Sequence, residues 1–148
     1  MHAYCRRLIC TVIALAVATL SLLGTPTAAQ ANGSRHCHYS VTTKRYGCNG
    51  SSGITAPGDI IGGTFFYNTN FRGEELTIWV TRPCAKNDRI DYFIPLAASR
   101  MKIASVQSWS TCWIYMYFHD GSRSGPYIGN ITDLESDIDY RGVMVGLS

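Results

Sequence analysis

The chain has 148 residues, 13 Lys+Arg against 10 Asp+Glu, and a formal net charge of +3 at pH 7. Its 46% apolar and 16% charged content is that of a globular protein, not of a disordered or collagen-like one. Arg6 and Arg7 lie in an expected leader, and without them 11 Lys+Arg face 10 Asp+Glu, a charge of +1 that leaves no electrostatic footprint for nucleic acid or anionic lipid.

In chain order the first expected element is that leader. Arg6 and Arg7 precede an apolar run from Cys10 to Leu23, Gly24 and Pro26 stop it, and Ala29-Gln30-Ala31 forms a small-x-small cleavage site. This order predicts a secretory signal peptide over residues 1–31. The run is shorter than the roughly 20 residues of a membrane span, and no later segment could supply one. Cleavage removes Cys5 and Cys10 and leaves Cys37, Cys48, Cys84 and Cys112. In a secreted chain these read as two disulfides with three possible connectivities. The strand pattern favours Cys37–Cys48 and Cys84–Cys112, because each pair joins segments already placed close together. A metal site on His36, Cys37 and His38 is the competing reading, but "HCH" lacks the spaced ligand pairs of zinc modules.

Residues 32–63 form a polar Gly/Ser/Thr-rich N-terminal segment. Within it "CHYSVTTKRYGC" predicts a disulfide-closed hairpin or loop around Thr43-Lys44, and "GSSG" and "APGD" are turn chemistry. From Thr64 onward the pattern is short β-strands. "TFFYN" and "ELTIWV" pair across an Asn68–Gly73 turn, and "RIDYFI" is a strand or an inserted loop. "MKIASVQSW" alternates, and "CWIYMYF" puts Trp113, Tyr115 and Tyr117 on one face with Ile114, Met116 and Phe118 on the other. "PYIGNI" and "GVMVGL" close the chain. Short strands at near-regular spacing, with no helical periodicity after the leader, predict an all-β sandwich.

Phe66-x4-Phe71-x-Gly73 is the most specific motif. An imperfect second copy runs from Tyr117 through "FHDGSRSG", with Ser122 at the second aromatic position and Gly125 one residue late. Small residues precede a valine after each copy, in Ala104-Ser105-Val106 and Gly142-Val143. This pattern resembles the Greek-key motif of the βγ-crystallin superfamily, whose aromatic, second aromatic and glycine fold a hairpin over the sheet. The glycine takes a positive φ that a side chain would strain. The resemblance covers residues 64–148, the length of one two-motif domain, with "TRPCAKNDRIDYFIP" as an insertion in the first motif. It implies a two-sheet Greek-key sandwich of βγ-crystallin type, here stapled by two disulfides. Secreted microbial members of the superfamily include metalloproteinase inhibitors and killer-toxin-like proteins.

The family's calcium run, N/D-N/D-x-x-S/T-S, supplies oxygens to a hard cation. The matching positions read Arg100-Met101-Lys102-Ile103-Ala104-Ser105 and Asp137-Ile138-Asp139-Tyr140-Arg141-Gly142. The first lacks the paired oxygen donors and carries an opposing cation, and the second lacks one donor and the hydroxyl, so no family calcium site is expected. The carboxylates Asp133, Glu135, Asp137 and Asp139 read as a solvated acidic face.

Nothing in the chain spells catalysis. His119, Asp120 and Ser122 share one turn, where a nucleophile, base and orienter cannot converge. No G-x-S-x-G, H-E-x-x-H or phosphate-cradling loop is present. The expectation is a secreted, non-catalytic protein-binding module without a cofactor, proteinase-inhibitor-like or antimicrobial, whose partner is a secreted or extracellular protein. Two loops carry the candidate contacts: Tyr39, Lys44, Arg45 and Tyr46 in the Cys37–Cys48 loop, and Arg82, Lys86, Arg89 and Tyr92 in the insertion. The alternative is an adaptor or structural subunit of a secreted multi-protein toxin assembly, with residues 32–63 docking on a partner. A weaker reading, a carbohydrate-binding module, would use Trp79, Trp109 and Trp113, which at strand spacing more often pack a sheet face.

Overall fold

Two aromatic-rich β-strands, joined where Phe71 and Gly73 turn the chain back, found the larger of two sheets. A computed structural model describes residues 34–96, 102–134 and 142–148. Ser34–Ser148 makes one compact unit; the expected leader lies outside the described residues. The strands are β1 His36–Ser40, β2 Tyr46–Gly47, β3 Ile60–Asn68, β4 Arg72–Val80, β5 Tyr92–Pro95, β6 Ser105–Ser108, β7 Ile114–Tyr117, β8 Arg123–Tyr127, β9 Asn130–Ile131 and β10 Met144–Leu147. They build an all-β protein of two sheets, one of six strands in the order β2-β1-β4-β3-β6-β9 and one of four in the order β5-β10-β7-β8.

The strands from β3 on fall into two successions, β3 to β6 and β7 to β10. In each the fourth strand returns beside the first, β6 to β3 and β10 to β7. The third strand of each succession pairs in the other sheet, β5 with β10 and β9 with β6. Of "RIDYFI", Tyr92, Phe93 and Ile94 belong to strand β5, while Arg89, Ile90 and Asp91 end the loop before it.

Alternation explains the core between the sheets. Cys37, Leu76, Phe65 and Val106 share one register row of the larger sheet. Ile94, Val145 and Met116 share one of the smaller. All of these are buried in a single cluster with Ile78, Val80, Ile114 and Leu147. Burying each such side chain contributes about 1.5–3 kcal/mol. The sheets approach closely at Gly62, where a Cβ would stand 2.8 Å from Val80 and 3.0 Å from Leu147.

The chain reverses tightly in the Asn68–Gly73 hairpin. Gly73 has φ +86°, and a Cβ there would meet the Asn68 side chain at 2.7 Å. The Phe66 and Phe71 rings meet edge to face with centroids 5.6 Å apart. Fully buried Ser105 completes the fold: its hydroxyl donates to Asn68 O at 2.7 Å and accepts from Phe71 N at 3.0 Å. Gly125, in the imperfect second copy, also takes a positive φ of +108°.

Polar composition conceals how residues 34–63 are used. β1 and β2 form an antiparallel hairpin, and β1 also pairs in parallel with β4 along its whole length, extending the larger sheet. Cys37 and Val41 reach the core while His36 and His38 alternate with them. His36 and His38 are thus among the less buried residues of a strand whose last residue, the polar Ser40, is itself fully buried.

Candidate functional site

The loop between β4 and β5, residues 81–91, is fixed at its base, middle and end. At the base Thr81 Oγ1 and Tyr92 Oη are 2.9 Å apart, and Tyr92 Oη donates to Arg82 O. The Cys84–Cys112 disulfide ties the loop to the β6–β7 turn. Beside it Cys84 N donates to Ser110 O at 3.1 Å, and Thr111 Oγ1 donates to Cys84 O at 2.8 Å. Asp91 closes the loop on itself by accepting from Ala85 N at 2.9 Å.

The middle of the loop lies over the outer face of the smaller sheet. Tyr115, which strand alternation places on that face, is fully buried there. Its hydroxyl donates to Asp88 Oδ1 at 2.8 Å, and the Arg123 guanidinium lies 4.6 Å from its ring centroid. Burial, and then the Asp88 hydrogen bond, raise the Tyr115 pKa, so the phenol stays a donor. Ile90 packs above Gly146, where a Cβ would meet Ile90 at 3.1 Å and Tyr117 at 2.9 Å.

Both loop carboxylates are thus spent on internal hydrogen bonds, while Arg82, Lys86 and Arg89 are exposed. Neither the Arg35–Glu74 ion pair nor the His36–Glu75 contact involves any of them. The outcome is a loop fixed by internal bonds, whose exposed face carries these three cations beside the exposed carboxylate of Asp88. Tyr92 differs from its three companions: it is half-buried against the core and works as the loop's hinge post.

The Cys37–Cys48 loop divides in the same way. Tyr39 and Tyr46 face each other across β1 and β2 and pack against the core, so they are scaffold. Lys44, at φ 58°, and Arg45 stand exposed at the tip. Asp59 holds this region by accepting from Ser40 Oγ at 2.6 Å, Thr42 Oγ1 at 2.5 Å and Ala56 N at 2.9 Å. Burial alone would raise the Asp59 pKa, but the hydrogen bonds from Ser40, Thr42 and Ala56 prevail and lower it. Each loop has its own disulfide, and neither disulfide links one loop to the other.

A groove opens where the insertion meets the β6–β7 turn. It measures about 300 Å³ and is lined by Lys86, Trp109, Trp113, Ile128 and the hydroxyl residues Ser108, Ser110 and Thr111. Trp79 lies apart, half-buried on β4 with its Nε1 donating to His38 Nδ1 at 3.3 Å. Sequence reading grouped the three tryptophans; what separates them is that Trp109 follows the end of β6 and so escapes strand packing.

The turn carrying His119 and Ser122 is a self-contained Asx turn. Both the Ser122 hydroxyl and its N–H donate to Asp120 Oδ1, at 2.6 and 2.9 Å, and these bonds lower the exposed Asp120 pKa. Among the described residues no group of three or more His, Cys, Asp and Glu could hold a metal ion. His36 and His38 instead contact Glu75 and Trp79, and Cys37 is in a disulfide. Most of the expected calcium-run positions, with Glu135, Asp137 and Asp139, lie outside the described residues. No described helix is long and apolar enough to cross a membrane. Comparison with protein-family models, curated proteins and solved structures found no match to this chain.

Proposed function

We propose that this protein is a secreted, non-catalytic binding module, inhibitor-like or antimicrobial, that presents the 81–91 loop to an acidic face on an extracellular protein. The observation carrying this reading is the division of labour in that loop. Its two carboxylates and Tyr92 are engaged in hydrogen bonds within the protein, and its three cations outnumber those carboxylates and stand exposed on a frame held by a disulfide. A loop already held in its bound shape loses less conformational entropy on association. An excess of exposed cations speeds encounter with an acidic partner. Two disulfides fit an oxidising compartment, which agrees with the expected leader.

We also infer that the domain is of βγ-crystallin Greek-key type. Support comes from the return of β6 beside β3 and of β10 beside β7, as the fourth strand of a Greek key lies beside its first. The Phe66–Phe71–Gly73 hairpin adds to it.

The test is capture of the tagged protein's partners from its native secretome, with mass spectrometry and activity titration. A protease or another single extracellular protein, held at stoichiometric ratio and released by salt, is the expected result. Stoichiometric recovery of large chains would favour the adaptor reading, and a partner bound unchanged after neutralising Arg82, Lys86 and Arg89 would remove the loop from the proposal.

A further inference from the structure

We propose that the groove formed by Trp109, Trp113, Ile128 and Lys86 is a saccharide site that takes the end of a neutral pyranose chain. Its volume of about 300 Å³ is at the small end of the range for small-ligand sites, room for a terminal sugar rather than a long segment. Trp109 and Ile128 are 44% and 53% exposed, whereas most large apolar side chains among the described residues are more buried than that. Exposed apolar groups gathered at one concavity point to a ligand.

The walls are preformed. Trp109 Nε1 donates to Thr64 Oγ1 at 3.0 Å and Trp109 N to Gly62 O at 3.1 Å, so the polar edge of the indole is used inward. Its ring face is what remains to offer a ligand. The turn below is closed by Cys112 N donating to Trp109 O at 2.8 Å and by the disulfide to Cys84. Ser110 and Thr111 take positive φ values of 49° and 63°. Such backbone is strained for a β-branched residue, and strain of this kind gathers at ligand sites.

The polar groups select the chemical class. Ser110 Oγ donates to Ile61 O and Thr111 Oγ1 to Cys84 O, so both keep lone pairs for donors from a ligand. Ser108 Oγ accepts from Gly129 N and keeps its proton to donate. Lys86 adds an exposed ammonium. A pyranose has an apolar C–H face to lie on an indole and an edge of hydroxyls that both donate and accept. A purely apolar ligand would leave the hydroxyls unmatched, and a polyanion would find one cation in the groove. This proposal does not rest on the protein-binding reading; Lys86 is shared, whereas Trp109 and Ile128 belong to the groove alone.

The experiment is a titration of the ¹⁵N-labelled secreted chain, following the indole N–H signals of its three tryptophans. The probes are the methyl glycosides of glucose, mannose, galactose and N-acetylglucosamine, with cellotetraose and tetra-N-acetylchitotetraose. At least one probe should shift the Trp109 and Trp113 signals saturably and leave Trp79 unmoved. Trp109→Ala should weaken that binding about tenfold or more, as loss of an aromatic anchor does. Should Trp109→Ala not fold, Ile128→Ser and Lys86→Ala, both at exposed positions, should each weaken it. Absence of saturable shifts with every probe up to about 50 mM, well past a millimolar Kd, would overturn the proposal. So would undiminished affinity in these variants, or a site that responds to decaproline and to none of the sugars.

Discussion

Ser105→Ala tests the hairpin at its centre. The Ser105 hydroxyl is the partner of both Asn68 O and Phe71 N, from 37 and 34 residues away, and the side chain is fully buried. Alanine fits the space but leaves a carbonyl and an N–H unpaired beneath the folded hairpin. A stranded buried group costs about 1–3 kcal/mol, and partial access of water to the hairpin tip places the sum at about 2–3 kcal/mol. With a urea slope of about 1–3 kcal/mol/M for a small domain, the midpoint should fall by about 0.7–3 M at unchanged slope. The assay is equilibrium urea unfolding of oxidised protein followed by tryptophan fluorescence. Ser122→Ala, which removes a hydroxyl bond in an exposed turn, is the control and should stay within about 0.5 kcal/mol. A Ser105→Ala midpoint as high as the control's would refute the reasoning, because the hairpin would then be held by its aromatics alone.

Gly125→Ala should be far more damaging than Gly50→Ala, although both glycines have positive φ. At Gly125 a Cβ would meet Ile114 O at 2.7 Å, while at Gly50 it would meet nothing; the expected costs are about 3 and about 1 kcal/mol, and equal midpoints would contradict the packing. Stability should also fall on acidification through His38. Its pKa is lowered by burial first, with Glu75 opposing and His36 assisting, and its Nδ1 must be unprotonated to accept from Trp79. A depressed folded-state pKa means this contribution is present above the unfolded value near 6.5 and lost as pH falls through the lower folded value; His38→Gln should flatten the urea midpoint between pH 7.5 and 5 relative to the parent, and an unchanged slope would exclude His38 as the cause. Of the two disulfides, Cys84–Cys112 spans 28 residues and Cys37–Cys48 spans 11. Loop closure alone makes removal of the longer one costlier by about 0.8 kcal/mol, readable in paired Cys→Ser unfolding curves, and the reverse order would show that chain entropy does not govern here.

Local chemistry was legible and distant chemistry was not. The Phe66, Phe71 and Gly73 spacing could be read because the three residues act on one another within a single turn. Ser105 carries no such mark: its partners are remote in sequence, and a lone serine before a valine looks like any strand residue. Alternation placed Tyr115 on the face opposite Ile114 and Met116 without showing what covers it; the inserted loop does, and no period in the sequence records a cover supplied by another segment. The parallel pairing of β1 with β4 was hidden for a related reason, since its outward residues are His36 and His38 and its inward ones are few. In the candidate site, the exposed Arg82, Lys86 and Arg89 could be picked from composition. That Tyr39, Tyr46 and Tyr92 serve as scaffold follows from pairing and packing that only the three-dimensional structure contains.

The most direct measurement is the association rate of the secretome partner with the parent protein and with the triple variant Arg82→Gln, Lys86→Gln, Arg89→Gln, each at low and high salt. If the loop is the docking surface, the triple variant should associate about tenfold more slowly at low salt, and the gap should close as the Debye length shrinks to about 3 Å at 1 M. Equal rates at low salt would contradict the loop as the partner's docking surface.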